Sequence, residues 1–212
     1  MLTEQITVAS FPEKAQELVE VCRSLGSSGW APATGGNFSV RLDVSHCLIT
    51  QSGRDKSQLT VDDLMVCDLN GRALDPALRP SAEVGLHTRL YRLDTNIGAV
   101  LHTHSVTSTV LSRASDGDLL LQGFEMQKAL AGNHTHEEEI RIAVFDNDQD
   151  IAALAEQVQQ RWLLHTMTQP GFLVSGHGLY AWGKDLAEAR RHVEGFEFLF
   201  ACAWQEKLLE RR

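Results

Sequence analysis

The chain has 212 residues, 43% of them hydrophobic and 22% charged, with a formal net charge of −9. That length suits a single domain, taken here as residues 1–212, with a substantial core. The acidic balance argues against a nucleic-acid binder, which presents a basic face. No apolar run approaches the roughly 20 residues that span a bilayer. Met1-Leu2-Thr3-Glu4-Gln5 lacks the basic start and apolar middle of a secretory leader, so the expectation is a cytoplasmic protein. Cys22, Cys47, Cys67 and Cys202 are scattered without a C-x-x-C pair and read as buried reduced thiols.

In chain order, Ser10 with Glu13 reads as a capping box, Pro12 suits a first helical turn, and Gly26 supplies a stop. The helix so bracketed carries Leu18, Val19, Cys22 and Leu25 on one stripe. Trp30 to Gly36 is a loop of small and turn-forming residues. Phe38–Leu42 alternates as a strand, and His46–Thr50 reads as its antiparallel neighbour. Asn70-Gly71 predicts a hairpin joining Leu64–Leu69 to Arg72–Leu74. Ser81 is placed to cap a helix reaching Leu93. A strand over Ile97–Leu101 and a short helix from Ser105 to Leu111 follow. Leu119–Leu121 and Arg141–Phe145 are further strands, and Ile151–Met167 has helical periodicity. Phe172–Val174 is a strand that Leu179–Trp182 continues, and Asp185 with Glu188 caps a last helix running nearly to the end. Several antiparallel strands with interspersed helices predict an α/β fold, a mixed or antiparallel sheet between helical layers.

The segment Ile97-Gly98-Ala99-Val100-Leu101-His102-Thr103-His104 is the most informative in the chain. Alternate strand residues point to one face, so His102 and His104 project side by side where a buried strand leaves the core. Two neutral imidazoles in that arrangement suit a divalent transition metal. His177, between two glycines after an apolar strand, is the best third ligand, and three histidines leave positions open for substrate oxygens. His134 and His136 repeat the spacing without an apolar strand and read as a solvated loop. His46, His87, His165 and His192 lack a partner histidine and read as structural.

Two carboxylates compete for acid/base work. Glu83 lies near a predicted helix start, where the dipole favours the ionised form. Glu125 has apolar neighbours in Gln122-Gly123-Phe124-Glu125-Met126, which predicts a raised pKa suited to proton shuttling. Thr34-Gly35-Gly36-Asn37 has the composition of an anion nest. Ser52-Gly53, with Lys56 nearby, and Ser81 offer further donors for a phosphorylated ligand.

The ordered set Ala33–Ser39, Ile49–Gly53, Pro80–Glu83, Ala99–Ser105 and Gly176-His177-Gly178 resembles the class II aldolase/adducin family over nearly the whole chain. The resemblance implies a three-layer α/β/α sandwich around a mainly antiparallel sheet. It implies one Zn²⁺ per subunit on His102, His104 and His177, and a homotetramer with active sites near subunit boundaries. It also implies phosphate contacts from Thr34, Gly35, Gly36, Asn37, Ser52, Gly53 and Ser81, with Lys56 as an additional one. Gln122–Leu130 resembles the family's dehydratase branch. This implies zinc-dependent loss of water from a phosphorylated ketose, with Glu125 taking the C3 proton and protonating the departing C4 hydroxyl. Glu83 matches the glutamate that serves catalysis in the aldolase branch, so both glutamates stand as catalytic candidates. The alternatives are an aldolase or 4-epimerase of the same fold, or a non-catalytic adducin-like module, which has no need of the three histidines.

Overall fold

The computed structural model describes residues 6–210. Met1–Gln5, with the leader reading made above, lie outside the described residues. Eight strands form one sheet: β1 (Asn37–Arg41), β2 (His46–Thr50), β3 (Leu64–Asp68), β4 (Ala99–Thr103), β5 (Leu119–Leu121), β6 (Ile140–Phe145), β7 (Gly171–Val174) and β8 (Gly178–Gly183). Their order is β3-β2-β1-β4-β8-β7-β6-β5. Every neighbouring pair is antiparallel except β6 with β7.

Among the described residues five α-helices cover the two faces: α1 (Pro12–Ser27), α2 (Val84–Leu93), α3 (Val106–Ala114), α4 (Ile151–Leu163) and α5 (Leu186–Leu209). Strand alternation divides the core between them. Leu101, Leu179 and Ala181 face one way and pack with Leu18 and Leu25 of α1, Leu111 of α3 and Phe196 and Phe200 of α5. Val100, Tyr180 and Trp182 face the other way and meet Leu86 and Leu90 of α2 and Leu154 and Val158 of α4. Each fully buried side chain of this size contributes about 1.5–3 kcal/mol. The result is the expected three-layer α/β sandwich.

Local expectations fared unevenly. Ser10 does not cap α1; it closes a 3-10 turn over Val8–Ser10 with Thr7, and Phe11 holds the cap position. Helix α2 begins at Val84, three residues past Ser81, because Ser81 Oγ accepts from the Glu83 amide in a preceding turn. Asn70-Gly71 makes its turn, with Gly71 at φ 82°, but its return limb is a single bridge between Cys67 and Ala73. Helix α4 stops at Leu163, and His165 sits at φ 54° beyond it. The segment after Val174 does not continue β7: the chain reverses through Ser175–His177, and β8 pairs antiparallel with β7. Among the described residues no helix is long and apolar enough to cross a membrane.

Candidate metal centre and phosphate cleft

Strand β4 carries His102 on the face shared with Val100, and the chain leaving β4 carries His104. The His104 amide donates to Trp30 O at 2.7 Å, which ties the strand end to the loop before β1. The reversal between β7 and β8 supplies His177, its amide donating to Val174 O at 3.0 Å. Strand β8 then lies tight against β4. At Gly178 a Cβ would stand 2.0 Å from Thr103 O, so only glycine permits the approach that brings His177 to His102.

The three imidazoles converge through their Nε2 atoms. His104 Nε2 is 2.7 Å from His102 Nε2, and His177 Nε2 is 3.3 Å from it. Glu83 joins them, with Oε1 3.0 Å from His177 Nε2 and Oε2 3.5 Å from His102 Nε2. His102 is fully buried, and its Nδ1 donates to Leu179 O at 2.9 Å. That bond assigns the ring proton to Nδ1 and turns the Nε2 lone pair inward. Tyr180 stacks on the same ring at 3.9 Å.

Burial pushes the His102 pKa well below its ordinary value, and burial with the neighbouring His177 brings His104 down to about 4. Burial alone would raise Glu83. Its hydrogen bonds with His177 and the Asn37 amide instead hold it well below the usual carboxylate range. Three imidazole nitrogens converging beside a carboxylate form the donor set that a divalent cation requires. It is the only such cluster among the described residues.

A cleft of about 150 Å³ opens beside the cluster. Thr34, Gly35, Gly36, Asn37, Ser52, Gly53 and Ser81 all line it, together with Gln51, Glu83, His104 and His177. Gly36 at φ 73° and Gly53 at φ 74° give the backbone left-handed turns that expose amides, the conformation of an anion nest.

Two expected site residues stand elsewhere. Lys56 is 1% exposed and does not line the cleft; its Nζ donates to Thr34 O at 3.0 Å and Arg54 O at 2.7 Å. Burial among backbone carbonyls makes it a brace for the loop rather than a contact for phosphate. Glu125 opens a 3-10 turn over Glu125–Ala129, and its side chain is 72% exposed. Its apolar sequence neighbours do not enclose it. Lys128 at 2.7 Å and His136 at 3.2 Å hold its carboxyl below the ordinary value, opposite to the expected rise.

Residues 16–204 match the family model described as the class II aldolase and adducin N-terminal domain. The chain belongs to the class II aldolase and adducin family. Among its relatives, a methylthioribulose-1-phosphate dehydratase of Pectobacterium atrosepticum is 55% identical over 196 residues, covering 92% of this chain and 95% of the relative. The enzyme of that name from Serratia proteamaculans is 53% identical over 201 residues, covering 94% and 98%. The solved structure of an L-fuculose-1-phosphate aldolase from Thermus thermophilus superposes with a TM-score of 0.76 at 25% identity, covering 95% of this chain and 98% of that one. Within this class II aldolase-like fold the imidazole cluster sits at the ends of two central strands.

Some polar residues around the centre escaped sequence reasoning. His87, read from the sequence as structural, stands four residues after Glu83 at the helix cap, a spacing that signals a shared environment. Tyr180 follows Gly178 in strand phase. Glu197 had no local signal. It lies on α5, across the sheet from His102, and is 4% exposed; Thr103 Oγ1 donates to its carboxylate at 3.2 Å.

Burial lifts the Glu197 pKa from 4.5 to about 7, only partly offset by bonds from Ser105 and Thr103. A raised folded-state pKa contributes stability below pH 4.5 that is lost as pH rises to about 7. The loss amounts to about 3 kcal/mol. Glu197→Gln, which keeps an acceptor for Thr103, is therefore expected to gain Tm relative to the parent as pH rises from 4.5 to 7.5. Thermal melts across that range check it; a constant offset contradicts the assignment.

Proposed function

We propose that this chain is a hydro-lyase of methionine salvage that removes water from 5-methylthioribulose 1-phosphate, giving 2,3-diketo-5-methylthiopentyl 1-phosphate. The observation that carries this reading is the 55% identity, over 92% of the chain, to a relative named methylthioribulose-1-phosphate dehydratase. The imidazole cluster beside a glycine-lined cleft supports it. In this reading residues 1–212 form one domain that works in the cytoplasm, in keeping with four cysteines that are all free thiols.

The metal is Zn²⁺, one per subunit, held by His102, His104 and His177; when bound it supplies Lewis-acid polarisation of the ketose oxygens. The backbone amides of Thr34–Asn37 and Ser52–Gly53, with Ser81, bind the phosphate and fix the sugar against the catalytic groups. The Glu125 carboxylate removes the C3 proton and returns it to the C4 hydroxyl, which departs as water. The C3–C4 enol so formed tautomerises to the diketone. Lys128 and His136 keep Glu125 ionised for the first of these transfers. Glu125 faces solvent in the single chain, so the reading places it at a boundary between subunits of a homotetramer. The exposed apolar side chains of Leu120 and Met126, close to it in sequence, suit such a boundary.

Aldol cleavage is a second reading, favoured by Glu83, the carboxylate beside the histidines. Incubation of the zinc-loaded protein with 5-methylthioribulose 1-phosphate separates the two. Diketone formation, abolished by a chelator and restored by zinc, is the expected result. Release of glycolaldehyde phosphate or dihydroxyacetone phosphate from sugar phosphates, with no diketone, overturns it.

A further inference from the structure

A continuous line of hydrogen bonds leaves the metal centre and runs into the core between the sheet and α2. Asn37 Nδ2 donates to Glu83 Oε2 at 2.5 Å. Asn37 Oδ1 faces His87 Nε2 at 2.5 Å, and His87 Nδ1 lies 2.7 Å from Ser39 Oγ. Ser39 Oγ lies 2.7 Å from the Tyr91 hydroxyl. Asn37, Ser39, His87 and Tyr91 are all buried, none more than 3% exposed, so water does not take over a lost bond.

The polarity of this line follows from the Asn37 amide, which turns its NH₂ toward Glu83 and its carbonyl toward His87. That carbonyl needs a donor, which makes His87 Nε2 the protonated nitrogen. His87 Nδ1 then accepts from the Ser39 hydroxyl, and Ser39 accepts from Tyr91. Each group donates toward Glu83. The reverse arrangement sets the Asn37 carbonyl oxygen against a carboxylate oxygen at 2.5 Å, two acceptors with no proton between them. The surroundings favour the neutral ring that this requires: burial pushes the His87 pKa down to about 4.

We propose that His87 is a positioning residue which, as its neutral Nε2–H tautomer, locks the Asn37 amide and thereby aims the Glu83 carboxyl group at His177 and His102. Its effect on turnover rests on the reading above; its effect on zinc and its tautomer do not depend on which substrate the enzyme takes.

Two substitutions divide the ring's functions. A glutamine amide reaches the place of Nε2, so His87→Gln keeps a donor for Asn37 and gives up the partner of Ser39. An asparagine amide reaches only the place of Nδ1, so His87→Asn keeps Ser39 paired and leaves Asn37 free to rotate. Zinc dissociation constants, read by competition with a chromophoric chelator, are expected to weaken about 10–100-fold in His87→Asn and to stay within about threefold of the parent in His87→Gln, the size of effect usual when a metal site's supporting hydrogen bond is lost. ¹⁵N spectra of histidine-labelled parent protein, metal-free and zinc-loaded, are expected to show a neutral His87 protonated at Nε2. An Nδ1–H tautomer, an imidazolium at neutral pH, or equal zinc affinity in the two variants overturns the proposal. The spectra remain decisive where a variant does not fold. A parent that binds zinc but forms no diketone refutes the dehydratase reading and leaves both of these readouts standing.

Discussion

His177→Ala is expected to fold like the parent, lose its stoichiometric zinc and lose turnover by about a thousandfold or more, the equivalent of the several kcal/mol that a Lewis acid supplies. The side chain is partly exposed in a turn, so truncation leaves no large core cavity. Its Nε2 lies 3.3 Å from His102 Nε2 and 3.0 Å from Glu83 Oε1. Metal analysis of the purified variant, circular dichroism and the diketone assay together check the expectation. Near-normal zinc content with near-normal turnover would remove His177 from the ligand set.

Glu125→Gln is expected to do the opposite to the metal. Zinc content and Tm should match the parent, because the carboxyl lies outside the histidine cluster and is exposed to solvent. Turnover should fall by about 10²–10⁴-fold, the range for loss of a positioned general acid/base, with KM moving far less than kcat. Glu83→Gln provides the contrast: it sits within the donor set, so both zinc affinity and turnover are expected to suffer. Should Glu125→Gln keep its rate while Glu83→Gln loses it, the proton-transfer role passes to Glu83. Steady-state kinetics at saturating zinc decides between them.

Much of this protein was readable from periodicity. The strand that leads into His102, the apolar stripe of α1 and the Asp185 cap of α5 depend on neighbours a few residues apart, and those interactions form in any context that buries one face. Errors gathered where local signals have two solutions. Ser10 accepts a bond in a 3-10 turn as readily as at a helix start, and the glycines around His177 suit either an interrupted strand or a reversal. Gly176 at φ 64° and the close fit of Gly178 against Thr103 chose the reversal. The expected burial of Glu125 failed for a different reason. Apolar neighbours in sequence predict burial only if they surround the carboxylate in space, and here Lys128 and His136 face it instead. Lys56 is the converse, a cation between polar residues that the packing of α1 and the loop at Thr34 takes out of solvent.

By itself the sequence determined the strand that presents two imidazoles, the glycine-rich segments beside them and the order of most elements, since each is written in spacings of two to four residues. Only the tertiary structure decided that His177, 75 positions from His102, completes the cluster, that Glu83 and not Glu125 stands within it, and that His87 reaches it through Asn37. Those choices depend on which strands become neighbours and on how water is excluded between them. Such long-range pairings carry no local periodicity, and they become definite only when the sheet closes over both of its cores.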